Sequence, residues 1–402
     1  MNKLVEQVAR RFTPSPAVSP LVNAELFNDS FYHPNLGGIT KGGMSNHYPM
    51  TIMSLSGLGA IDDEIKHFRH QWPRYRAHIR DDLGLRDINE INLDNWPLFL
   101  GQTHELLAFR RVFREGLDTL GSEKFVTKAL NTMQLSLPMG LFHPLIQLSF
   151  ATSHGDHGLI ANALAYMAIR YTNLFIRSPC ILNNSGVKSI TALSSWSIIR
   201  QQMNTIAIHF QPAGGTLRIC EQLCSEPNIQ QLSFAKGFVI NEENLSTRMI
   251  EICQASIRLY LHEPALTTLH AVTSTQALAD LTLRYGTHGS NRTTYAKLWS
   301  LMWIWLSGLY LEKGAPDKLP IVAREAKNKF EHWDVIALKA RRMPEVHLIK
   351  MVFSCKWLYE NIELNEIYRI TAMNIITEGN AHPTRVKWTE PESLLNQNSD
   401  IN

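Results

Sequence analysis

Sixteen histidines punctuate this chain of 402 residues, and four of them sit where an imidazole could do chemistry. His47 lies in Met44-Ser45-Asn46-His47-Tyr48-Pro49-Met50, where Ser45 and Asn46 could hold one ring nitrogen and leave the other for a metal. His143 opens His143-Pro144-Leu145-Ile146-Gln147. Proline suits the first turn of a helix, and Gln147 falls four residues on, along the same face. His270 stands in the apolar run Leu269-His270-Ala271-Val272, and His347 in Val346-His347-Leu348-Ile349. Lys350 follows His347 by one helical turn, among Ile349, Met351, Val352 and Phe353. An ammonium is expensive to bury there, so Lys350 either reaches solvent or does chemistry. Each of these residues also has a plain reading, as a satisfied polar group in a core.

Other candidates point elsewhere. His154, Asp156 and His157 could mimic a metal triad, but Ser153-His154-Gly155-Asp156-His157-Gly158 reads first as a break between helices. His67, His70 and His78 share a stretch crowded with Arg and Asp, as on a solvated face. His262 and His288 fall at helix ends, where a cation favours the local dipole, and His332 is placed to cap a helix. Of five cysteines (Cys180, Cys220, Cys224, Cys253, Cys355), Cys220 and Cys224 share a helix face. No second pair completes a tetrahedral zinc site, so they read as reduced structural thiols. Gly57-Leu58-Gly59 follows no strand and lacks a third glycine. There is no phosphate loop, serine elbow or HExxH.

The elements that must position these groups are helical. Apolar residues recur at three- and four-residue steps over Trp96–Phe113, His157–Ile176, Asn244–Leu261, Pro264–Tyr285, Thr294–Leu311 and Val346–Ile362. Strand signals are short, the best being Ile190–Leu193 and Phe238–Ile240. The pattern predicts an all-α fold in a single large domain, with room for one short hairpin. Residues 1–60, rich in Pro, Asn and Gly, read as an irregular segment carrying the first histidine motif. Residues 61–378 form the helical catalytic domain, with regular helix from about Asp62. Residues 379–402 form a polar tail.

Composition narrows the classes. The chain is 45% hydrophobic and 19% charged, with a net charge of +3. Arg10-Arg11 and Arg341-Arg342 are isolated, which gives nucleic-acid binding little support. The most apolar stretch, Trp299–Leu311, is too short to span a membrane and reads as a buried helix. The first residues carry no secretory pattern, and the sparse cysteines suit a reducing cytoplasm.

Four blocks of residues resemble the questin oxidase-like family, in the family's order. They are Ser45-Asn46-His47-Tyr48-Pro49-Met50 with Leu58-Gly59-Ala60; Phe142-His143-Pro144-Leu145-Ile146-Gln147 with Asn162-Ala163-Leu164-Ala165-Tyr166; His270-Ala271-Val272-Thr273 with Ala277-Leu278; and His347-Leu348-Ile349-Lys350. Little between Ser178 and Asn241, or after Thr377, carries the resemblance. Members oxidise fused aromatic polyketides, opening anthraquinone or xanthone-type rings. Some are described as Baeyer–Villiger oxidases, others resemble non-haem iron dioxygenases. In the latter, four histidines and a carboxylated lysine hold the iron.

Carried over, the resemblance implies iron (Fe2+) on His47, His143, His270 and His347, with Lys350 as the carbamate and catalytic lysine. The partners implied are dioxygen and an aromatic small molecule. Imidazole alone does not select the metal. A lysine whose pKa is lowered by burial can add carbon dioxide and offer hard anionic oxygens, replacing the usual carboxylate. Two other readings stand beside this one: an NADPH-consuming Baeyer–Villiger-type monooxygenase, with NADPH as an external reductant, and a non-catalytic helical binding protein. A shared metal requires that the four histidines, separated by 96, 127 and 77 residues along the chain, meet at one cavity. The sequence leaves the substrate and the oligomeric state open.

Overall fold

The computed structural model describes residues 18–38, 44–72, 76–81, 85, 90–174, 189–203, 215–226, 228–232, 237–287, 289–320 and 331–382. Among them are sixteen α-helices, five short 3-10 turns and no strand, so the architecture is all-α. In chain order the helices are α1 (Pro20–Asp29), α2 (Tyr48–Gly57), α3 (Asp62–Gln71), α4 (Leu106–Leu120), α5 (Ser122–Met133), α6 (His143–His154), α7 (His157–Ile169), α8 (Ala192–Gln201), α9 (Gly215–Leu223), α10 (Asn228–Leu232), α11 (Leu245–His262), α12 (Leu266–Tyr285), α13 (Asn291–Glu312), α14 (Trp333–Arg341), α15 (Val346–Asn361) and α16 (Glu366–Glu378).

Two of these helices lie in the segment read as irregular. Ser19 caps α1 by accepting from the Val22 N–H, with Pro20 in the first turn. Helix α2 likewise carries Pro49 in its first turn, where proline loses no helical hydrogen bond. All residues from Tyr48 to Leu55 are buried, so α2 shows no amphipathic period to read. Regular helix does begin again at Asp62. The His157–Ile176 pattern stops at Ile169.

The expected hairpin is absent among the described residues. Its two segments do approach, through one bond from the Ile190 N–H to the Gly237 carbonyl. The Arg248 guanidinium then takes the carbonyls of Ile190 and Val239 that a strand partner would have used. Ala192 already belongs to α8, capped by Thr191. Of the tail, only residues up to His382 are described. Its start is tied down, because the Tyr260 hydroxyl donates to the Ala381 carbonyl at 2.6 Å.

Four helices form the frame that matters. Helix α2 packs against α6 and α15, and α12 packs against both α6 and α15, so the four close into a ring. Helix α12 is buried from Thr268 to Thr282, and α13, buried over most of its length, lies against it. Trp299, Trp303 and Trp305 of α13 are all buried, as Trp299–Leu311 predicted for a core helix. No helix of the described residues is long and apolar enough to cross a membrane. Gly57 lets α2 and α15 come close: a Cβ there would meet the Phe353 ring at 2.4 Å.

Candidate metal centre

Each helix of the ring contributes one of the four histidines, near its N-terminal end. His47 is the N-cap residue of α2, His143 the first residue of α6, His347 the second of α15, and His270 the fifth of α12. All four side chains are buried. Their Nε2 atoms meet: His347 to His47, His47 to His143, and His143 to His270 are each 3.1 Å apart. The ligand atoms of His47, His143 and His347 lie close enough together to share one ion, and His270 joins them through its contact with His143.

The other ring nitrogens fix the tautomers. Nδ1 of His47 lies 2.7 Å from the Ser45 carbonyl oxygen, that of His143 2.5 Å from Gly140, and that of His270 2.7 Å from Leu266. Nδ1 of His347 lies 3.0 Å from a carboxylate oxygen of Glu345. Every one of these oxygens can only accept, so each Nδ1 donates and each Nε2 presents its lone pair. Lone pairs facing one another at 3.1 Å repel unless a cation sits among them. Two such nitrogens, each about 2.1 Å from one ion, subtend about 95°, nearer the right angle of a six-coordinate site than a tetrahedral one. The donor set therefore fits a divalent transition metal.

The backbone is bent to deliver His143. Gly140, Leu141 and Phe142 all have positive φ (61°, 52° and 62°), a conformation costing roughly 1–2 kcal/mol for each L-residue. The turn is held by Phe142, whose ring meets Trp305 edge-on at 4.7 Å. On the opposite side, the Asn46 amide donates to both oxygens of buried Asp29 while its own oxygen accepts from the Tyr48 N–H. That fixes the approach to α2 and with it His47.

Electrostatics keep the histidines neutral. Burial, first, and then the Lys350 ammonium lower His47 well below its ordinary value; burial also leads at His143 and His347, and pushes His270 down to about 3. Neutral imidazole is the form that binds metal. Lys350 is 2% exposed, and burial lowers its amine to about 7, against the attraction of the Glu345 carboxylate.

Sequence reasoning missed two members of this neighbourhood. Glu345 caps α15 through the His347 and Leu348 N–H groups and also holds the His347 ring. An acid before the apolar run at Val346 was the available signal. His382 was absorbed into the polar tail, yet its ring lies edge-on to His347 at 5.1 Å and its Nε2 3.9 Å from Glu345. A repeated His-Pro dipeptide, as at His143-Pro144, was the only hint. Both residues stand in a second arrangement, with His347, whose ligand atoms could approach one ion.

The remaining candidates lie away from the centre. His154 meets Asn23, His157 pairs with Asp118 at 2.7 Å, and His332 caps α14. Cys220, Cys224, Cys253 and Cys355 are buried, and none is in a disulfide among the described residues. His288 and Cys180 lie outside the described residues.

A search of curated proteins finds no match to this chain. The family model of questin oxidase-like proteins matches residues 44–355, a span that runs from just before His47 to just beyond Lys350. On that match, the chain belongs to the questin oxidase-like family and is an oxidoreductase.

Proposed function

We propose that the chain is an iron-dependent dioxygenase that cleaves a carbon–carbon bond of a fused aromatic polyketide. His47, His143, His270 and His347 would hold the metal, with Lys350 completing the set as its carbamate. The observation that carries this reading is the run of three 3.1 Å contacts linking the Nε2 atoms of His347, His47, His143 and His270 in that order, each ring with its Nδ1 fixed by an oxygen acceptor.

Iron bound there would supply the activation of dioxygen that organic side chains cannot. The protein's own contribution is positional and electrostatic. Each of four helices carries its histidine near its N-terminal end, where peptide dipoles favour negative charge. An anionic carbamate is stabilised by that field and an ammonium is not. With its amine at about 7, Lys350 is half neutral at physiological pH. The neutral nitrogen attacks carbon dioxide, a C–N bond forms, and one proton leaves to solvent. The buried, closely packed faces of α12 and α15 keep water from the site.

The test is metal analysis of purified protein joined to oxygen and NADPH consumption with an anthraquinone. The expected result is about one iron per chain and oxygen uptake without NADPH. Stoichiometric NADPH oxidation would favour the monooxygenase course instead. Protein that takes up no transition metal, even when reconstituted under carbon dioxide, would leave the histidines as core residues.

A further inference from the structure

Ser45 is engaged at two ends. Its carbonyl oxygen accepts from Nδ1 of His47 at 2.7 Å, and its side-chain oxygen lies 2.6 Å from the hydroxyl of Tyr166. Both residues are buried. Tyr166 belongs to α7, which is not one of the four helices that carry the histidines.

The backbone on which Ser45 sits is short. Ser45 pairs with Asn35 in a single antiparallel bridge, closed by the Leu36 N–H on the Met44 carbonyl at 2.9 Å and the Asn46 N–H on the Pro34 carbonyl at 2.7 Å. In such a pair the facing residues turn their own N–H and C=O groups away from each other. The Ser45 carbonyl is thereby aimed outward, where the His47 ring meets it. With no ladder beyond that bridge among the described residues, the tilt of Ser45 depends on its side chain as well. Helix α7 holds both halves of the bridge. Tyr166 meets Ser45, and Arg170, one turn on at the end of the same helix, donates to the Asn35 side-chain oxygen at 2.7 Å.

The same hydroxyl touches the support of the next ligand. It stands 3.9 Å from the point where a side chain on Gly140 would begin, and the Gly140 carbonyl orients the His143 ring. Tyr166 therefore abuts the turns that orient two neighbouring rings, whose Nε2 atoms are 3.1 Å apart. Packing alone does not ask for this hydroxyl. Phenylalanine would fill nearly the same buried volume, and a phenol placed there must find a partner. Burial pushes the phenol above its ordinary value, against the pull of Arg170, so it stays a neutral hydroxyl.

We infer that Tyr166 is a positioning residue of the metal centre, acting from outside the ring of four helices. Its hydroxyl anchors Ser45, and Ser45 sets the direction from which the Nε2 lone pair of His47 meets the ion. The inference rests on the reading of the four histidines as metal ligands and adds a fifth helix to the site's construction.

Cobalt(II) titration of the chelator-treated full chain tests it, because the visible bands of cobalt report ligand geometry while their growth reports affinity. Tyr166→Phe should bind cobalt about 10–100-fold more weakly than wild type, with shifted bands. Ser45→Ala should do the same. The double variant should be no weaker than the worse single one, because both changes remove one bond. Tyr310→Phe is the comparison. It also removes a buried hydroxyl with a partner, the Pro316 carbonyl at 3.0 Å, from a helix outside the ring, and it should leave cobalt affinity and bands as in wild type. Urea midpoints are read on every metal-free variant; should Tyr166→Phe not fold, Ser45→Ala decides. Wild-type affinity and bands in Tyr166→Phe or Ser45→Ala would overturn the inference. So would additive losses in the double variant, or an equal loss in Tyr310→Phe. Wild-type protein that takes up no cobalt would defeat the metal reading and this inference together, whereas equal uptake by wild type and Tyr166→Phe would defeat the inference alone.

Discussion

Replacing Lys350 by methionine should make the metal-free protein more stable while destroying its capacity for iron. The side chain is 2% exposed, and burial brings its amine from 10.5 down to about 7. At about 1.4 kcal/mol per tenfold change in proton affinity, keeping the lysine in that position at pH 7 costs on the order of 4 kcal/mol. Methionine fills nearly the same volume without the charge. In buffer free of carbon dioxide, the urea midpoint of metal-free Lys350→Met should rise by an amount equal to about 2–4 kcal/mol, with an unchanged slope. The sign of the pH dependence follows from the same shift. Between about 7 and 10.5 the unfolded chain holds the lysine proton and the folded chain does not, so wild-type stability rises with pH, by about 1.4 kcal/mol per pH unit from this group. Methionine removes that slope, and the two curves should converge towards pH 10.5. Parallel curves, or a variant less stable than wild type at pH 7, would refute a buried, depressed lysine and the carbamate chemistry built on it.

Further outcomes can be checked on the same protein. Lys350→Ala and Lys350→Arg should both lose iron, while Lys350→Glu keeps part of it, as read by metal analysis, because a carboxylate can stand in for the carbamate oxygens and a guanidinium cannot. Glu345→Gln keeps an acceptor for the capping N–H groups but withdraws the charge from the His347 ring. It should weaken iron binding by about 10–100-fold, with little change in melting temperature. Gly57→Ala drives a methyl into Phe353, forcing α2 away from α15 and His47 from His347. It should cost about 1–3 kcal/mol in urea and lower iron affinity. Below pH 6.5, metal-free protein should lose further stability. The unfolded chain takes up protons there that the four buried imidazoles, all held below their ordinary value, still refuse.

What the sequence disclosed followed from its periodicities. The long helices α11, α12, α13 and α15 could be read because apolar spacing survives over four or more turns. Helix α2 could not, since its ten residues, buried on every side, are too few to show by length what the longer buried helices show. The histidine set was legible through residue type and motif order. Its support was not: the three left-handed residues before His143 include Leu141 and Phe142, for which no local rule predicts positive φ. They adopt it because Phe142 is captured by Trp305, 163 positions along the chain. His382 was illegible for a similar reason. Only the folded chain places it on His347.

The location of the four histidines ties fold to chemistry in one further way. Here, three Nδ1 atoms reach main-chain carbonyls at or just before a helix start (Ser45, Gly140 and Leu266), and the fourth reaches the capping carboxylate Glu345. Helix beginnings leave N–H groups without helical partners, and their peptide field favours an anion over an ammonium; the oxygens that orient the rings come from the turns before α2 and α6, the first residue of α12 and the Glu345 side chain. That field acts against the metal cation as well as against lysine. A site of four neutral imidazoles at converging helix N-termini therefore needs an anionic ligand to hold a divalent ion tightly. Among the described residues, Lys350 is the lysine whose charge bears on all four rings, and the carbamate proposed for it would supply that anion.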